Sequence, residues 1–195
     1  MTLDLRQARF LQSAVALADM PPDHGREVAF AGRSNAGKSS ALNAITGVKG
    51  LARASKTPGR TQLVNFFGLS PDARLVDLPG YGYAHVPAAT RMAWREMIED
   101  YLAGRQSLAA LVIVMDIRHP LTELDQQLMG WAQPAGITLH VLLTKADKLS
   151  KAQAERAAAG LRKDLGGVVG VTVFSATKGT GFDAARKVLL GLLDH

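Results

Sequence analysis

Along this chain, short runs of apolar residues alternate with longer segments in which apolar positions recur every three or four residues. That alternation marks strand–helix–strand units, in which helices cover a parallel sheet. The runs predict strands over residues 27–31, 62–69, 74–78, 109–116, 138–144 and 168–175. Two of them, LAALVIVMD and HVLLTKAD, stay almost wholly apolar until they end on a polar residue, as strands buried on both faces do. Only Ser70, Pro71, Asp72 and Ala73 separate the second run from the third, too few for a helical crossover. A hairpin is therefore expected there, and one strand should run backwards in a mostly parallel six-stranded sheet. Helical spacing marks residues 5–17, 38–46, 88–102, 121–131, 151–165 and 182–193. The expected fold class is α/β in a single domain, with residues 1–26 as a helical extension and 27–195 as the core.

The 47% apolar content suffices for a real core and excludes disorder throughout. A net charge of +6 favours contact with polyanions, although a merely soluble basic surface would carry the same charge. The absence of cysteine excludes a disulfide framework, a Cys-ligated zinc site and an iron–sulfur cluster. The longest apolar stretch, residues 108–115, is far short of the ~20 residues that cross a bilayer, and MTLDLRQARF lacks a signal-peptide layout. A cytoplasmic, monomeric protein is expected.

Directly after the first strand comes Gly32-Arg33-Ser34-Asn35-Ala36-Gly37-Lys38-Ser39, which fits G-x-x-x-x-G-K-[ST] and opens a helical segment. Glycines let backbone wrap tightly around phosphate, and consecutive amides at a helix N-terminus donate to its oxygens. Lys38 supplies a point charge, and Ser39 a hydroxyl for Mg²⁺. Asp77-Leu78-Pro79-Gly80 closes the third strand and puts a carboxylate beside the phosphates, able to hold Mg²⁺ through water. Thr144-Lys145-Ala146-Asp147 closes the fifth. Its Asp can accept two hydrogen bonds from guanine, whose counterparts adenine does not offer, and the Lys145 stem can lie along the base. A helix-capping role for Asp147 is compatible with this. Phe174-Ser175-Ala176, at the end of the last strand, would complete the base pocket through backbone amides.

In this order the segments GRSNAGKS, DLPG, TKAD and FSA resemble the translation-factor-related (TRAFAC) GTPases. GRSNAGKSSALNAI, KTPGRTQLVNFF, LVDLPGYGYA and DIRHPLTELD narrow the likeness to the EngB (YihA/YsxC) family of bacterial ribosome-assembly GTPases, from about residue 27 onward. The resemblance implies a Ras-like G domain, GTP or GDP as ligand, Mg²⁺ as cofactor, the large (50S) ribosomal subunit and its rRNA as partner, and a link to cell division and septation. It also makes Gly59-Arg60-Thr61-Gln62-Leu63 the first switch, with Thr61 joining Ser39 on Mg²⁺ when a γ-phosphate is present, and Gly80 the γ-phosphate sensor. Lys38, Thr61 and Gly80 are then the residues nearest the chemistry.

Where Ras-like enzymes place a water-orienting Gln after the DxxG glycine, this chain has Tyr81, so slow intrinsic hydrolysis is expected. Asn35 resembles the Asn that binds potassium in cation-activated relatives, against a simpler role bridging loop and switch. His85 and His119 read as turn or loop residues rather than general bases, and Asp116 with Arg118 reads as a structural ion pair. Lys49, Arg53, Lys56, Arg60 and Arg74 form a basic set beside the first switch that suits rRNA phosphates; with 6% aromatic residues a base-stacking platform is not expected. A second reading keeps the fold and site but makes the protein an RNA-binding assembly factor that uses GTP as a ligand without significant hydrolysis.

Overall fold

The computed structural model describes residues 3–53, 63–82 and 87–194. Seven strands form one sheet: β1 (Arg9–Ala14), β2 (Arg26–Gly32), β3 (Val64–Ser70), β4 (Ala73–Asp77), β5 (Leu108–Asp116), β6 (Thr138–Thr144) and β7 (Gly170–Val173). Their order across the sheet is β1-β3-β4-β2-β5-β6-β7. β3 pairs antiparallel with both β1 and β4, while β4, β2, β5, β6 and β7 pair in parallel, so β3 is the one reversed strand, as the short connection before residue 74 requires.

Five α-helices flank the sheet: α1 (Lys38–Thr46), α2 (Ala88–Gly104), α3 (Glu123–Ala132), α4 (Lys151–Asp164) and α5 (Phe182–Leu193). Alternate residues of the central strands point to opposite faces, and each face buries its own core. Val28, Phe30, Val112, Val114 and Leu142 face α1 and α5, whereas Ala29, Ala31, Leu111, Ile113, Val141 and Leu143 share the other face with residues of α2, α3 and α4.

The N-terminal segment departs from expectation. The helix expected over residues 5–17 is absent; the segment instead forms a 3₁₀ turn (Leu5–Gln7), then β1, which adds a seventh strand to the predicted six, and ends at the start of a second 3₁₀ turn (Leu17–Asp19). Apolar positions at Phe10, Leu11, Ala14 and Val15 mimic helical spacing, but β3 offers an unpaired edge, and strand pairing satisfies backbone groups along it. A bulge between Phe10 and Gln12 lets Leu11 sit over Gly68, where an added Cβ would lie 3.1 Å from the leucine side chain.

At the N-terminal edge of the parallel strands lies a buried ion cluster. Glu27 is fully buried and accepts from Arg74 Nε (2.9 Å), Arg105 Nη2 (2.6 Å) and Nε (3.0 Å), and the Tyr101 hydroxyl (3.2 Å). Arg74 also donates to the carbonyl of Pro22 at 3.0 Å and to that of His24. Arg74 is thus buried and paired at the end of the molecule opposite the phosphate loop, which removes it from the basic set expected to meet RNA. A buried ion pair adds little net stability, but deleting one partner strands the others without compensation. Glu27→Ala should cost about 3–5 kcal/mol of folding stability, read by urea denaturation; a loss below about 1 kcal/mol would show that the arginines find other partners or water.

Candidate functional site

β2, β4, β5 and β6 end on Gly32, Asp77, Asp116 and Thr144 along one edge, where β2 has β4 on one side and β5 on the other. Such a switch point in strand order leaves a crevice beyond the strand ends, the usual ligand position in open α/β sheets. The phosphate loop fills it. Gly32 passes so close to β5 that a Cβ would stand 2.8 Å from the Val114 carbonyl oxygen. The loop then turns through an Ala36 N–H to Arg33 carbonyl bond (3.0 Å), with Asn35 in the left-handed region (φ 64°). Gly37, at φ 94°, caps α1, so Lys38 and Ser39 lie in its first turn and the free amides of the helix N-terminus open into the crevice.

Two neighbours fix the loop. From β6, the buried Thr144 hydroxyl donates to the carbonyls of Ala36 and, at 3.1 Å, Met115, so this side chain serves the loop rather than facing outward. Lys145, itself at φ 60°, donates through Nζ to the Asn35 carbonyl (2.6 Å) and pairs with Asp116 (3.0 Å). Asp116 also takes Arg118 in a fork, Nε at 3.0 Å and Nη2 at 2.7 Å. The Asp116–Arg118 pair read from the sequence is present. Its further hold on Lys145 was not foreseen, because 29 residues separate the two. Arg118 above all, then Lys145, keeps the Asp116 carboxyl well below the usual carboxylate range. His119 N–H bonds the Asp116 carbonyl at 2.9 Å, the turn role expected of it.

Asp147 sits in a short 3₁₀ turn (Ala146–Lys148), where one carboxylate oxygen accepts from the Ser175 hydroxyl at 2.6 Å. That bond holds its carboxyl below the ordinary range, so at neutral pH it is ionised and accepts only. Ala146 N–H to the Phe174 carbonyl (3.1 Å) joins this turn to the segment after β7. Phe174 is buried against Phe182, whereas Ala176 is exposed.

Lys38 Nζ and the Asp77 carboxylate are in contact. Leu78 is buried, and Leu78 N–H bonds the Phe30 carbonyl at 2.9 Å, so the strand β4 ladder continues into the segment Pro79-Gly80-Tyr81. Tyr81 is buried too, and donates its hydroxyl to Asp125 of α3 at 2.6 Å. Burial, with that carboxylate adjacent, pushes the Tyr81 hydroxyl well above its usual pKa. Sequence reasoning missed this contact, since nothing local marks Asp125 as more than a helix-capping residue. Leu63 is exposed. The expected roles of Gly59, Arg60, Thr61 and Gln62, and those of Lys56 and His85, fall outside the described residues. Ser39 and Asp77 offer the oxygen ligands that suit Mg²⁺, and no group of three or more His, Cys, Asp or Glu side chains gathers among the described residues. Two protein oxygens with phosphate and water completing the shell is how Mg²⁺ is commonly held, so the residues fit the ion.

Phosphate loop, strand-end carboxylate and acidic base-side turn, set in this order on this sheet, define a GTPase of the P-loop class. A family model described as "50S ribosome-binding GTPase" matches residues 27–145. Over 197 residues the chain is 52% identical to a probable GTP-binding protein EngB of Stenotrophomonas maltophilia, covering 99% of this chain and 98% of that protein. It is 51% identical over 187 residues to the probable GTP-binding protein EngB of Coxiella burnetii, covering 94% and 91%. The chain belongs to the EngB family of GTP-binding proteins. Its fold is shared with a crystal structure of a probable GTP-binding protein engB (TM-score 0.70, 19% identity, 86% of this chain and 98% of that one). A crystal structure of Aquifex aeolicus Era bound to GDP and aluminium fluoride shares it as well (TM-score 0.65, 20% identity, 86% and 56%).

The closeness of Gly32 to β5 gives a direct test. Gly32→Ala forces the loop or the strand to shift, at about 1–3 kcal/mol of overpacking strain. GTP affinity, read by titration calorimetry, should fall more than the melting temperature suggests; unchanged affinity would show that the loop tolerates displacement.

Proposed function

We propose that this protein binds GTP with Mg²⁺, hydrolyses it slowly to GDP and phosphate, and uses the difference between the two states to govern its attachment to the large ribosomal subunit during assembly. A role in cell division and septation follows from the family resemblance and rests on it alone. The observation that carries the reading is Asp147, an ionised acceptor braced by Ser175 and tied through neighbouring backbone to the same edge that bears the phosphate loop. Guanine presents N1–H and a 2-amino group to such a carboxylate, whereas adenine would leave it unpaired.

In this reading Gly32, Arg33, Ser34, Asn35, Ala36 and Gly37 wrap the phosphates, and Lys38 neutralises charge on the β- and γ-phosphates. Ser39 and Asp77 hold Mg²⁺, with Thr61 as the further ligand of the GTP state, and Gly80 offers its amide to the γ-phosphate. Lys145 lines one side of the base, and the backbone around Ser175 closes the other. The Tyr81 hydroxyl, engaged by Asp125, supports slow intrinsic turnover. A K⁺ ion beside Asn35 is proposed as the accelerator, and Asn35 is exposed with its carbonyl already held by Lys145; turnover at equal rates in KCl and NaCl removes it. Exposed Lys49 and Arg53 remain as phosphate contacts for rRNA.

Asp147→Asn turns an acceptor into a group that also donates, opposite the guanine 2-amino group. GTP should bind at least about 100-fold more weakly, while xanthosine triphosphate, which carries a carbonyl at that position, should bind better than GTP; equal losses for both would contradict the assignment. Co-sedimentation with 50S subunits should be tighter with a non-hydrolysable GTP analogue than with GDP. It should weaken with salt and with Lys49→Ala/Arg53→Ala, since each lost phosphate contact lowers the salt slope by about one. Binding indifferent to nucleotide would refute the switch, and turnover absent under every condition would leave the ligand-only reading standing instead.

A further inference from the structure

The residue after Gly80 has all its polar atoms engaged. Tyr81 N–H donates to the Gly32 carbonyl (3.3 Å), its carbonyl accepts from Ser34 N–H (2.7 Å), and its hydroxyl donates to Asp125 (2.6 Å). The first two bonds prolong the β2–β4 ladder into the phosphate loop. The third reaches α3, where the other oxygen of Asp125 accepts from the Thr122 N–H (2.9 Å) and hydroxyl (2.8 Å). On the other side of Gly80, the Trp94 indole of α2 donates to the Pro79 carbonyl at 3.3 Å. Trp94 packs between Tyr81 and Trp131 of α3, with centroids 5.6 Å and 6.3 Å away. Gly80 is therefore flanked by two residues, each fastened to a helix.

We propose that Tyr81 is a positioning residue: its bond to Asp125 sets the Gly80 turn against the phosphate loop and makes α2 and α3 follow that turn when the nucleotide changes. The inference rests on the reading that Gly80 senses the γ-phosphate. A displaced Gly80 amide must carry the Pro79 carbonyl and the Tyr81 backbone with it. Both are tied, through Trp94 and Asp125, to helices whose packing admits discrete rather than graded shifts. Close packing at the next residue allows little slack, since a Cβ on Gly82 would lie 3.3 Å from Leu124 of α3 and 3.5 Å from Arg33. Tyr81 thus has a task that leaves its hydroxyl unavailable to water at the γ-phosphate.

Trp94 and Trp131 are the chain's two tryptophans, and both lie in this cluster, so intrinsic emission reports on it. Emission is compared for the full chain with Mg²⁺ and either GDP or a non-hydrolysable GTP analogue, beside steady-state turnover. Wild type should emit differently in the two states; identical emission would overturn the sensing reading and this inference with it. Tyr81→Phe keeps the ring but loses the bond. It should lose at least half of the emission difference and lower kcat by about 2- to 30-fold, the range of coupling changes, with KM and GDP affinity nearly unchanged. A Tyr81→Phe protein with wild-type kcat and emission difference and merely a lower melting temperature would reduce Tyr81 to a packing residue and overturn the proposal. Asp125→Asn keeps the side chain's shape but has one acceptor oxygen where Tyr81 and Thr122 use two, so it weakens the bond without removing the Tyr81 hydroxyl and guards against a misfolded Tyr81→Phe. It should give an emission difference and kcat below wild type, and wild-type values for both overturn the proposal equally.

Discussion

Three backbone hydrogen bonds carry the β2–β4 ladder past the ends of its strands: Leu78 N–H to Phe30, Tyr81 N–H to Gly32, and Ser34 N–H to Tyr81. Without them the phosphate loop and the segment after Asp77 would be two independent turns. With them, they form one rigid edge, and a ligand that shifts either one is felt by both. The lack of a side chain at Gly32 makes this possible, because the loop must leave β2 in contact with the Val114 carbonyl of the next strand. Thr144 and Lys145 then pin the far side of the loop to β6, so that its amides are aimed before any phosphate arrives. Preorganised donors of this kind lose little freedom on binding, which is where such loops derive their strength.

Charge is distributed to match. At the edge away from the site, Glu27 with Arg74 and Arg105 is closed off from water, and its role is to fix how β2, β4 and the end of α2 meet. At the ligand edge the carboxylates are set one to a strand end or turn, each with a different partner: Asp77 with Lys38, Asp116 with Lys145 and Arg118, Asp147 with Ser175. On the proposed function, Lys38 and Asp77 are the pair that a magnesium-bound triphosphate would separate, since the lysine and the carboxylate would then have stronger partners of opposite sign. The edge is thus built of groups whose mutual contacts substitute for those a ligand would make.

Much of this was legible in the sequence, for definite reasons. The central strands and α1, α4 and α5 follow from apolar runs and helical spacing, and the phosphate loop and strand-end carboxylates follow from motifs whose spacing the chemistry fixes. The N-terminal strand was not legible, because its apolar positions suit a helix and its pairing depends on an edge supplied by β3, more than fifty residues away. Arg74 read as a surface cation because nothing near it in sequence shows Glu27 folded against it. The same holds for Tyr81: its departure from the Ras-like pattern was visible, but its use was not, since Asp125 lies 44 residues on and is marked locally only as a cap. Local chemistry is written in local sequence, whereas long-range polar contacts are written in no single segment.

Amide hydrogen exchange at single-residue resolution in the GDP complex tests the shared edge most directly. The amides of Ser34, Leu78 and Tyr81 should exchange as slowly as those inside β2 and β4, and far more slowly than the amide of Arg33 beside them, because the ladder opens only with the sheet. Exchange of Ser34 and Tyr81 as fast as that of Arg33 would mean that the loop and the Gly80 turn move independently, and would contradict the shared edge.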